Sequence, residues 1–99
     1  MIKIIRLIND DKLIAFSSIT EDSDSGVMAI LLRNPFLIWK NQEGIYEFED
    51  YLPESDKDHK QIIVDPMHIL YGVEPTEELQ NKYNEFTGLE KVFAIKPLI

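Results

Sequence analysis

The 99-residue chain contains no cysteine. Disulfide bridges, thiolate metal sites and a thiol nucleophile are therefore excluded, and the redox compartment is left open. Glycine is scarce, at four residues, and the four build neither a phosphate-binding loop nor a nucleophile elbow around a serine. No apolar run approaches the roughly 18 residues of a membrane-spanning helix. Residues 2–8 are apolar apart from Lys3 and Arg6, but the polar stretch 9–12 cuts that run short. It lacks the unbroken apolar segment of about 7–15 residues, and the small-residue cleavage site, that a secretory signal needs. The expectation is a cytoplasmic chain with no membrane partner.

Positive charge is also short. Ten lysines and arginines stand against eighteen aspartates and glutamates, for a net charge of −8. Residues 41–60 alone carry seven acids, Glu43, Glu47, Glu49, Asp50, Glu54, Asp56 and Asp58, against Lys57 and Lys60. Such a surface repels phosphate backbones, whose binding rests on lysine and arginine neutralising charge.

Patterns that carry chemistry are missing too. Asp22, Asp24 and Gly26 resemble half of a calcium loop, but the twelfth position counted from Asp22 is Arg33, where the bidentate glutamate belongs. The segment reads as a solvated turn. His59 and His68 have no second histidine at ligand spacing. His59 reads as a surface residue of a charged loop, and His68 as a hydrogen-bonded structural residue at the start of a strand. Glu47 and Glu49 share a strand face roughly 7 Å apart, with nothing to split their acidities as acid–base catalysis requires. No catalytic residue, metal or cofactor is expected.

What is present is the punctuation of a β-protein. Strands are expected at 2–8, 13–20, 27–33 continuing through 36–40, 45–52, 61–64 and 67–73, parted by polar turns. Pro35 cannot donate to a ladder, so it marks a bend, a bulge or an edge. In the fourth strand Tyr46, Phe48 and Leu52 point one way, and Ile45, Glu47, Glu49 and Tyr51 the other. The period then changes. Thr76 suits a helix N-cap, Glu77 and Glu78 suit the positive end of the dipole, and Leu79, Tyr83 and Phe86 recur at helical spacing up to Gly88. Residues 92–95 suit a last short strand or a docking tail. The first and third strands are apolar on both faces, unlike an ordinary antiparallel sheet. A cover is needed, and sharp bending into a barrel together with subunit contacts is the preferred source over the C-terminal helix.

The run Val64-Asp-Pro-Met-His-Ile-Leu-Tyr-Gly-Val-Glu-Pro75 resembles the second motif of Sm and Sm-like proteins, a strand, a tight turn and an apolar final strand. Residues 4–8, 13–20 and 27–32 are similar to the first motif. The long third strand and the following helix look most like small phage-encoded Sm-like proteins. The resemblance implies an all-β fold: a strongly bent, five-stranded antiparallel barrel over residues 1–75, with a C-terminal helix and tail at 76–99 in the same domain. It also implies a homo-oligomeric ring of about five to seven subunits, joined where 45–52 or 61–64 of one copy meets 67–73 of the next. Ile62, Val64, Ile69 and Tyr71 are the interface residues this implies. The family's RNA-holding Arg-Gly pair is here Asp65-Pro66, so RNA binding is expected to be weak or lost. The alternative is an acidic adaptor or inhibitor, a nucleic-acid mimic among the options, that binds a basic protein partner.

Overall fold

The computed structural model describes residues 1–21, 24–56 and 58–88. The segment expected at 92–95, and Asp22 of the half calcium loop, lie outside the described residues. The chain forms strands β1 (Ile2–Leu7), β2 (Lys12–Glu21), β3 (Met28–Lys40), β4 (Tyr46–Asp50), β5 (Gln61–Val64) and β6 (Ile69–Val73), then one helix, α1 (Glu77–Thr87). The strands pair antiparallel in the order β4-β3-β2-β1-β6, with β5 also on β3. The fold is mostly β with a C-terminal helix, as the punctuation indicated. Among the described residues the sheet is open: β6 pairs only with β1, and β4 and β5 only with β3.

Local chemistry explains the turns. Between β1 and β2, Leu7 and Asp11 close a three-residue loop, and Asp10 takes φ 75°, a left-handed value that short polar side chains tolerate. Pro35 produces the anticipated bulge. Arg33 faces Phe16 and Phe36 faces Ile14, so Asn34 and Pro35 together oppose Ala15, and Asn34 sits at φ 49°. The extra residue reverses the facing of β3, which is how both Leu32 and Leu37 reach the same core.

The bulge also divides the strand beyond it. β5 lies along residues 30–33 and β4 along residues 36–40 of the same β3 margin. Residues 51–60 form an excursion that leaves and returns at the bulge, with Tyr51 N–H on Pro35 C=O at 3.1 Å and Asn34 N–H on Lys60 C=O at 2.7 Å. An ion pair between Lys60 Nζ and Asp50 clamps its two ends, and Lys60 also donates to Leu52 C=O at 2.9 Å. Six strands are found, at the six segments the punctuation indicated, whereas the family resemblance implied five.

The doubly apolar strands serve two cores. One face packs Ile5, Leu7, Leu13, Ala15, Leu32 and Val64, edged by Tyr51, Ile62 and Ile69. The other packs Ile4, Ile14 and Ile38 against Leu79 and Tyr83 of α1, edged by Phe36, Tyr46 and Phe48. The helix therefore covers much of the second face, a role the sequence reading had ranked below barrel bending and subunit contacts. Its ends are those expected: Thr76 Oγ1 accepts Leu79 N–H at 3.3 Å, and Gly88 stops the helix at φ 74°. Phe86 stacks on Phe48 with ring centroids 5.1 Å apart.

Candidate functional site

The chemically distinctive places are the two open margins of the sheet. β5 carries the apolar run Ile62-Ile63-Val64, and β6 carries Ile69-Leu70-Tyr71-Gly72-Val73. One turn of 3₁₀ helix, Pro66–His68, joins them. The Asp65 carboxylate accepts Met67 N–H at 2.9 Å, which gives Asp65 a structural use as the cap of that turn. His68 is exposed. Its bond into the fold runs through its carbonyl, which accepts Ile8 N–H at 2.9 Å, where the sequence reading had its side chain in view. His59 is exposed with Nδ1 3.9 Å from Asp56, a surface placement.

Of the four residues assigned to an interface, three belong to the chain's own interior. Val64 is buried in the first core, and Ile62 and Ile69 pack against it. Tyr71 is exposed; Arg6 Nε donates to its hydroxyl at 3.2 Å, and this bond lowers the phenol's pKa against the opposing effect of burial. The sequence reading missed the apolar side chains that face outward from the same strands: Ile63 at 69% exposure, Leu70 at 59% and Val73 at 46%. Ile63 and Leu70 lie beside residues that were named, but β5 and β6 are apolar at nearly every position, so no alternation singles these side chains out. Polar groups border β6, with Lys3 Nζ 3.7 Å from Glu74 and Arg6 Nη1 3.3 Å from Asp10.

The β4 margin differs. Glu47 and Glu49 are exposed there, and Asp50 is the acid that clamps the excursion. Burial works against the Asp50 carboxylate, but hydrogen bonds from Lys60 and Leu52 N–H, with the Lys60 charge, outweigh it and hold its pKa below the ordinary value.

Elsewhere the structure offers little chemistry. A depression of about 540 Å³ is lined by both signs of charge, including Arg6, Lys12, Asp11 and Glu49. Among the described residues, no side-chain polar atom is buried without a partner, and no three His, Asp or Glu side chains are grouped to hold a metal. No described helix is long and apolar enough to cross a membrane.

Fold and margins together define an open antiparallel sheet backed by one helix, with an apolar strand at either end. A scan against protein-family models finds no match, and no curated protein matches the sequence.

Proposed function

We propose that the chain is a non-enzymatic assembly module of the Sm-like kind. Copies join through their open sheet margins into a closed ring of about five to seven subunits, and affinity for RNA is weak or lost. One observation carries this reading: β5 and β6 lie at opposite ends of one sheet, each with outward apolar side chains and an edge that no described strand pairs. Long apolar edges invite pairing with another chain, and cyclic closure uses them up without running on into fibres. The strand order, the 3₁₀ turn between β5 and β6, and bulges beside Arg6 and Ile14 that sharpen twist all suit a strongly bent, barrel-like sheet. Light scattering or native mass measurement of the purified protein at micromolar concentration tests the reading. A mass of several protomers is expected, and a monomer mass ends it.

The second reading, an acidic adaptor for a basic protein, is favoured by the exposed acids Glu43, Glu47, Glu49 and Glu54. It predicts a co-purifying basic protein that salt releases, together with a monomeric mass once that partner is gone.

A further inference from the structure

Nothing among the described residues requires a glycine at position 72. Its φ lies outside the left-handed region, and a Cβ placed there would meet Ile5 Cγ1 as its nearest neighbour at 3.9 Å, an ordinary contact. Glycine within a strand weakens it, and where the fold does not require one it often marks the close approach of another chain or ligand. Gly72 is exposed on β6, which among the described residues is paired on one side and open on the other.

The ladders determine which backbone groups face the open margins. Leu7 N–H bonds Asp11 C=O, so by antiparallel alternation Ile4 and Arg6 turn their N–H and C=O towards β6, onto Val73 and Tyr71. Gly72, between those two, turns its own outward. At the other end of the sheet Asn34 N–H bonds Lys60 C=O, so Ile62 and Val64 bond β3 while Gln61 and Ile63 turn outward. The most exposed apolar side chain on β5, Ile63, thus sits on an outward-facing backbone unit.

We infer that a second copy of this chain lays its β6 antiparallel along β5 with Gly72 directly opposite Ile63, and that the Ile63 side chain fills the space the glycine leaves. This inference rests on the edge-pairing reading above and adds its register and contact. A large side chain laid across a cross-strand glycine is a recognised way of pinning register. Here it brings Ile63 of one copy over Gly72 and towards Ile5 of the other. The same register sets Glu74 of the second copy opposite Gln61, the lateral neighbour of exposed Arg33, so opposite charges approach. The other outward candidate on β6, Leu70, is unsuited. The β1–β6 register passes from Tyr71 to Ile69 and leaves Leu70 unmatched, out of the regular ladder. The β4 margin would bring Glu47 and Glu49 to the strand that Glu74 follows.

A double-mutant cycle tests the contact. Gly72→Ile and Ile63→Ala are each expected to weaken assembly about tenfold while the dilute chain keeps its circular dichroism and melting temperature. The double variant should assemble about as well as either single one, because the two positions share one space. If the two losses multiply instead, or if Gly72→Ile assembles as tightly as the wild type, the register is wrong while edge pairing stands. A monomeric wild type removes both. Should Gly72→Ile fail to fold, Ile63→Asp replaces it: its side chain is exposed, so the fold is kept and assembly is expected to be lost, and unchanged assembly overturns the contact.

Discussion

Tyr83 shows how one hydroxyl can repair a broken ladder. The bulge at Asn34 and Pro35 interrupts the β2–β3 ladder beside the Phe16–Arg33 pair, and the fully buried Tyr83 places its hydroxyl at the break. It accepts from Phe16 N–H at 3.1 Å and lies 3.0 and 2.9 Å from the carbonyls of Arg33 and Asn34. Burial raises its pKa, so the phenol stays protonated. Tyr83→Phe leaves that N–H without a partner, and denaturant unfolding should show a loss of about 1–3 kcal/mol with the secondary structure kept. Asp50 makes one pH-dependent contribution to stability. Its pKa is lowered in the fold, so its contribution is present above the unfolded aspartate value and is lost as pH falls through the lower folded value. Acid unfolding below about pH 4 should therefore be shallower in Asp50→Asn, measured by tryptophan fluorescence, once its lower stability at neutral pH is allowed for.

At the scale of elements, α1 is the roof of the second core. Leu79 and Tyr83 are its buried residues, so Leu79→Ala should cost about 2–5 kcal/mol in the same unfolding measurement. Thr76→Ala should cost only about 1 kcal/mol, since it removes one cap bond. The helix was legible because its signals are local: a cap, acids in the first turn, apolar spacing and a closing glycine. The bulge was legible from Pro35 for the same reason. The division of one sheet margin between β4 and β5 was not. Nothing in residues 61–64 states that they pair with 30–33, because that pairing depends on where the bulge lets the excursion return. The inward and outward assignments on β5 and β6 were likewise hidden, since apolar residues at every position leave no alternation to read.

For the whole molecule, the open margins and the acidic balance make separate demands. Val64 faces the chain's own core, so Val64→Lys places an ammonium among Leu32, Leu7 and Ile5. It should destabilise the protomer by about 3 kcal/mol or more, visible in dilute unfolding whatever the state of assembly. RNA is disfavoured on a larger scale. With a net charge of −8, and with Asp65 occupied in capping a turn, short uridine-rich RNA should not bind tightly. A mobility shift at about 150 mM salt should show no sub-micromolar affinity, because the counterion term has the wrong sign.

The clamp between Asp50 and Lys60 also makes the excursion a socket for foreign sequence. Its two ends are held together by an ion pair and by backbone bonds to the bulge, and Tyr51 is anchored in the first core, so the exposed residues Pro53 and Glu54 have little say in the fold. The cost of lengthening a closed loop grows only logarithmically, roughly 0.6 kcal/mol for each doubling. An epitope or fluorophore-binding peptide of about ten residues, inserted between the exposed Pro53 and Glu54, should therefore leave the melting temperature within a few degrees of the parent. The excursion would then serve as a permissive graft site, displaying its cargo beside the margin where neighbouring strands are expected to meet.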